Sequence, residues 1–131
     1  MGGWDWAAFQ KYLLNPYLLQ GAWTTVWLSV TVMAIGLFLG LVARLMRMSR
    51  HRVPRDIARF YIWLMRGTPL LVQLIIIYTG LPQVGIRLTV IQSALLGLGL
   101  NEGAYLAEII RAGILSVARV QFDAARAVGM P

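Results

Sequence analysis

Cysteine is absent from this 131-residue sequence, and histidine occurs once, as His51. Disulfides and thiolate metal sites are therefore excluded, and a zinc site built on imidazoles lacks ligands, so no metal-binding residues are assigned. Charge is also scarce: Asp, Glu, Lys and Arg make up 13% of the chain, against 59% hydrophobic residues and a mean hydropathy of +0.68. That balance does not fit a soluble surface and places the chain in a membrane. The net charge of +7 does not point to nucleic acid, because the basic residues crowd beside hydrophobic runs rather than along a soluble face. A phosphate loop of the form GxxxxGK[ST] is missing, so ATP chemistry is not expected in this chain. The N-terminal MGGWDWAAFQK has neither the basic first region nor the short apolar core of a cleavable signal peptide.

What the sequence does contain is a set of long apolar runs. No charge occurs from 12 to 43, and the run 21–43 is long enough to cross a hydrocarbon core of about 30 Å. Trp23 and Trp27 sit near its start, at headgroup level, and Gly36 and Gly40 form a GxxxG that would allow a close helix contact. Arg44, Arg47, Arg50, Arg52, Arg55 and Arg59 follow, opposed only by Asp56. By the positive-inside rule this loop is cytoplasmic and the N-terminus outside; membrane orientation accounts for the cluster, with binding of an anionic lipid as the alternative.

Ile57, Phe60, Tyr61, Leu64 and Met65 recur at helical spacing, so a helix is expected from near Asp56. Thr68, followed by Pro69, is read as a cap that restarts or kinks the helix forming a second span over 58–81. Gly80, Pro82 and Gly85 mark an external turn, and a third span runs inward over 88–110. The fold class is thus all-α, an integral membrane helical bundle of three spans, with 112–131 as a cytoplasmic loop.

The third span carries the candidate chemistry. An ionised carboxylate is costly in a bilayer, so Glu102 should face other helices or a wet cavity, alongside Asn101. Glu108 lies six residues on, about 120° round the helix, and need not serve the same ligand. Glu108 and Arg111 are spaced to form an ion pair, Tyr105 is one turn from both acids and could hold either, and Gln73 is the lone amide of the second span. Gln73, Asn101, Glu102, Tyr105 and Glu108 are the candidate pathway residues; Glu102 is as readily a buried hydrogen-bond partner, and Gln73 suits an interhelical hydrogen bond. No catalytic residues are assigned, since no histidine or paired aspartate stands near the acids to complete an intramembrane enzyme site.

In the C-terminal loop, Asp123 suits a helix N-cap, Ala124, Ala125 and Ala127 are strong helix formers, and Gly129 can take the left-handed conformation that stops the helix. This run resembles the signature cytoplasmic loop of ABC importer permeases, an EAA followed after three residues by glycine, matched by Asp123, Ala124, Ala125 and Gly129. RGTPLLVQ at 66–73, GLP at 80–82 and GAYLAEIIR at 103–111 are similar to the polar amino-acid branch of that family. Two departures stand out: Asp123 replaces the usual glutamate, and Ala118 and Val120 occupy positions where proline and glycine are common.

The resemblance implies a permease subunit of an amino-acid importer in the bacterial cytoplasmic membrane, forming the pathway for its amino-acid substrate. It would be no enzyme and hold no cofactor; ATP and Mg would be bound by a partner ATPase that receives the helix of Asp123, Ala124, Ala125, Arg126 and Gly129. A second permease subunit, identical or sister, and an extracytoplasmic solute-binding protein would complete the assembly. Family members typically have five spans, so 1–131 looks like the N-terminal part of one permease domain. The alternative is a small membrane assembly protein that recruits a soluble partner without transport. Acids at Glu102 and Glu108 would suit a substrate ammonium, which nearly every amino acid has, so the particular amino acid is not identified.

Overall fold

The computed structural model describes residues 5–13 and 15–130. Pro131 and the first four residues, on which the expectations about the chain's ends rested, lie outside that set. All regular structure among the described residues is helical. Helix α1 (Trp6–Leu13) starts where the Asp5 carboxylate accepts from the amides of Ala7 and Ala8. Helix α2 (Pro16–Met48) is capped by Asn15, whose side chain accepts from the amide of Tyr17, and it opens on proline at a position where the missing N–H is no loss. It extends well beyond 21–43 at both ends. Of the described helices, α2 is the one unbroken helix long and apolar enough to cross a bilayer.

The second apolar segment is not a straight span. Helix α3 (Arg52–Gly67) begins a full turn before Asp56, and it is followed by α4 (Leu70–Ile75) after a break at which the axis turns by 105°. Pro69 forces this break by denying the preceding residue helical geometry: Thr68 is extended, at φ −118° and ψ 143°. Thr68 does not cap α4 as expected. Its hydroxyl donates backwards to the carbonyl of Leu64, and Pro69 itself occupies the cap position.

Beyond α4 the chain winds through a wide π turn (Ile76–Gly80), where the second span was expected to continue to 81, and a tight 3-10 turn (Leu81–Val84), where a plain turn was expected. Pro82 offers no amide and would crowd the carbonyl four residues back, so an ordinary α ladder cannot pass through it. Gly85, at φ +90°, ends the run.

Helix α5 (Val90–Leu115) has the best-defined start in the molecule: the Thr89 hydroxyl accepts from the amide of Gln92 while the Gln92 side chain accepts from the amide of Thr89. Its length would span a bilayer, but Asn101, Glu102 and Tyr105 make it less apolar than α2. Helix α6 (Arg119–Ala127) starts one turn before Asp123, so Asp123 lies inside the helix and not at its cap. Arg119 and Gln121 are good helix formers and extend the alanine run backwards. Ala118 caps it at φ −65° and ψ 142°, a conformation proline would share, so the departure from the family pattern there leaves the backbone path open. At the other end Gly129 is left-handed, at φ +81°, as expected. Its amide donates to Arg126 and that of Met130 to Ala125, the paired bonds of a Schellman stop.

The largest helix contact is α2 against α5, and glycine makes it possible. Gly36 and Gly40, the expected GxxxG, are both buried in it. A Cβ on Gly40 would sit 2.9 Å from the Cβ of Leu106 and 3.1 Å from both the amide of Ala107 and the carbonyl of Gly103. Helix α5 answers with a second GxxxG: a Cβ on Gly99 would meet Ile35 at 2.8 Å, and one on Gly103 would meet Leu39 at 2.8 Å. Gly40→Val should therefore destabilise the bundle by about 1–3 kcal/mol, because backbone atoms cannot step aside. Gly21→Ala, where nothing lies within 4 Å, should leave stability unchanged or raised; thermal unfolding in detergent separates the two.

Candidate translocation path and coupling helix

The polar residues of α5 leave the helix in different directions, and each meets its own surroundings. Asn101 faces the α3–α4 break. A broken helix leaves carbonyls without intrahelical donors, which hydrocarbon cannot satisfy. Gln73, buried on α4, supplies the donors: its amide nitrogen lies 2.8 Å from the carbonyl of Met65, 3.1 Å from that of Thr68 and 2.7 Å from the Thr68 hydroxyl. Asn101 donates to the Gln73 side-chain oxygen at 3.2 Å and to the carbonyl of Met65 at 3.3 Å. Gln73 and Asn101 thus form one cluster that ties the break to α5. A second tie lies nearby, where the Tyr61 hydroxyl donates to the carbonyl of Leu100 at 2.6 Å.

Glu102 points the other way, toward α2. Its stem fills the place a side chain on Gly36 would take, since a Cβ there would lie 2.7 Å from the Glu102 Cγ. Beside it a cavity of about 450 Å³ is lined by Thr24, Thr25, Leu28, Ser29, Val32, Met33, Leu98 and Glu102. Thr24 and Thr25 donate their hydroxyl protons to the carbonyls of Gln20 and Gly21. What they keep is acceptor capacity. The Glu102 carboxylate has no hydrogen-bond or ion-pair partner among the described residues. A half-buried carboxylate flanked by hydroxyl oxygens is a setting for a donor-rich cation such as an ammonium group.

Glu108 belongs to a separate cluster. It pairs with Arg111 at 3.4 Å, as expected, and also with Arg47 from the C-terminal end of α2. The Arg47 contact locks α2 to α5 close to the loop that leads to α6. Tyr105 holds neither acid. It is exposed, and the Arg66 guanidinium lies over its ring at 5.3 Å from the centroid. The five candidate residues therefore fall into three places: Gln73 with Asn101 at the break, Glu102 at a cavity, and Glu108 in an ion-pair cluster, with Tyr105 outside all of them. No group of three or more His, Cys, Asp or Glu residues that could hold a metal occurs among the described residues.

The partners of Arg47, Tyr61 and Arg66 and the close approach at Gly99 and Gly103 were not expected from the sequence. The glycines could have been, from their spacing; Arg47 is one arginine among many and carries no local mark of its partner.

Helix α6 stands apart. None of its residues whose burial is described is buried, and no other element packs extensively on it. Asp123, Ala124 and Arg126 are exposed, Ala125 is half-buried, and Gly129 forms the stop.

Residues 33–131 match the family described as the binding-protein-dependent transport system inner membrane component. The chain belongs to this family. It is accordingly an inner-membrane permease-type chain with an all-helical membrane fold. It superposes on a solved structure titled "Crystal structure of an amino acid ABC transporter with histidines" with a TM-score of 0.86 and 40% identity, over 99% of this chain and 60% of that one. The arginine transport system permease protein ArtQ of Bacillus subtilis is 44% identical over 88% of this chain. A permease of Rickettsia prowazekii named for glutamine transport, GlnP, is 40% identical over 92% of it. The chain spans 53% of the length of ArtQ and 58% of that of GlnP.

Replacing Gln73 with leucine should strand the carbonyl of Thr68 and leave the Asn101 amide only its 3.3 Å bond to Met65, at a cost of about 1–3 kcal/mol. Gln73→Leu, Asn101→Leu and the double variant, compared by thermal unfolding in detergent, should show non-additive losses; additive losses would mean that the two amides act independently.

Proposed function

We propose that this chain forms part of the translocation pathway of an ABC-type amino-acid importer and carries the helix that couples it to a separate ATPase subunit. The observation that carries the reading is the family match over 33–131, which includes α6, a helix stopped by Gly129 on which no other element packs extensively. An unpartnered, well-stopped helix is what a groove in another protein can receive. The ATPase would bind ATP and Mg and do the hydrolysis; this chain is a transport subunit and not an enzyme. A second permease subunit would complete the pathway, a solute-binding protein would deliver the amino acid from outside, and lipid would surround the bundle.

The mechanism is alternating access. Movement of α6 by the ATPase would pass through the short 116–118 connection into α5, whose inner end the Arg47–Glu108–Arg111 cluster ties to α2. Glu102, beside its cavity and next to Gly36, is the residue proposed to meet the substrate ammonium. The names of the relatives span arginine and glutamine transport, so the proposal stops at an amino acid.

Two substitutions in the assembled transport complex separate coupling from passage. Gly129→Asp should abolish co-purification of the ATPase, because left-handed backbone penalises any side chain and the added acid would face the groove. Glu102→Gln should keep the ATPase bound but reduce uptake by tenfold or so, the order expected for losing one charge-assisted contact. Retained ATPase in the first variant, or unaltered uptake in the second, refutes the role given to that residue.

The proposed topology puts the N-terminus outside, the arginine loop and α6 inside, and the chain across the membrane more than once. Reporter fusions after Arg50 should signal cytoplasm and those after Gln83 the exterior; the opposite pattern would reverse the map.

A further inference from the structure

Helix α3 carries three different faces: one packs into the bundle, one is apolar and exposed, and one is a basic stripe whose last member, Arg66, lies over the Tyr105 ring of α5. At about 100° per residue, Ala58, Tyr61, Ile62 and Met65 share one sector. Ala58 and Ile62 are buried there, and Tyr61 reaches α5. Val53, Ile57, Phe60 and Trp63 share another, and they are 70%, 55%, 60% and 68% exposed. Phe60 and Trp63 lie against each other, with ring centroids 5.9 Å apart. Between the two sectors, within about 60° of arc, run Arg52, Arg55, Arg59 and Arg66. Asp56 is the one acid of the helix, and it pairs with Arg59 at 3.4 Å.

An upright α3 is hard to reconcile with this arrangement. Arg52 and Arg66 are fourteen residues apart, about 21 Å along a helix, so an α3 standing along the membrane normal would carry Arg66 deep into hydrocarbon. The 105° turn at the break removes that difficulty. The leg after the break, 70–84, has no charge at all and can enter the bilayer, and the bend then allows the charged leg to keep both of its ends at one level.

We propose that α3 lies flat in the inner leaflet, with Val53, Ile57, Phe60 and Trp63 sunk among the acyl chains and its arginine stripe bound to the phosphates of anionic phospholipids. The apolar face and the basic stripe adjoin each other, as a helix at an anionic interface requires. The inference rests on membrane placement and not on transport, so it stands or falls apart from the coupling role of α6.

The lack of cysteine allows Val53→Cys, Ile57→Cys, Phe60→Cys and Trp63→Cys to be made singly in the otherwise unaltered chain. Each variant is spin-labelled and reconstituted in phosphatidylcholine vesicles with or without phosphatidylglycerol, and depth is read from collision with oxygen against a water-soluble nickel chelate. All four labels should report one shallow depth. A steady gradient, reaching about 15 Å between positions 53 and 63, overturns the proposal. Shielding of the labels from both quenchers overturns it too, since protein and not lipid would then cover the face. The unaltered chain should also prefer spin-labelled phosphatidylglycerol to phosphatidylcholine, and Arg52→Gln with Arg55→Gln should weaken that preference about fivefold per arginine. Equal association with the two lipids, or a preference that survives both substitutions, overturns the lipid assignment.

Discussion

Two helix backbones approach each other across Gly36, Gly40, Gly99 and Gly103, and the positions of both acids of α5 follow from that approach. Lipid tails are as apolar as leucine, so helices in a bilayer gain little from hiding apolar side chains and much from close packing. With α5 held this near to α2, Glu102 must lie against Gly36, and Glu108 comes within reach of Arg47. The cavity beside Glu102 and the ion-pair cluster at the C-terminal end of α2 are consequences of one contact.

A second constraint shapes the rest: backbone carbonyls cannot be left bare in hydrocarbon. Pro69 breaks the helix, and the break is tolerable because Gln73 turns back over it and Asn101 closes the cluster from α5. The same break frees α3 to take a different direction from the segment that follows. Proline, glutamine and asparagine thus divide one stretch of sequence into two legs of different character, one amphipathic and charged, one without charge.

Much of this was legible in the residues. The apolar run of α2, its GxxxG, the stop at Gly129 and the likeness of the C-terminal loop to an importer permease all rest on local pattern, and local pattern survives folding. Start points were harder to read. Asp123 has the chemistry of a cap, but the helix propensity of the residues before it carried α6 one turn further back, and α3 likewise began before Asp56. What the sequence could not yield was pairing between distant positions. Gln73 with Asn101 and Arg47 with Glu108 are 28 and 61 residues apart, and nothing in either neighbourhood marks the partner. Tyr105 shows the opposite error: one turn from two acids along the helix, it points away from both and toward Arg66.

The fit of Glu102 against Gly36 also bears on how such a chain can change over generations. The carbon stem of the acid occupies the room that a side chain at 36 would need, so neither position can drift alone without a collision or a hole. A methyl group at 36 would lie 2.7 Å from the Cγ and 2.9 Å from the Cβ of Glu102, and aspartate keeps both carbons, so shortening the acid would not make room and its whole stem would have to move. Depth of charge in the cavity is therefore inherited through two codons at once, one of which encodes a residue with no side chain at all.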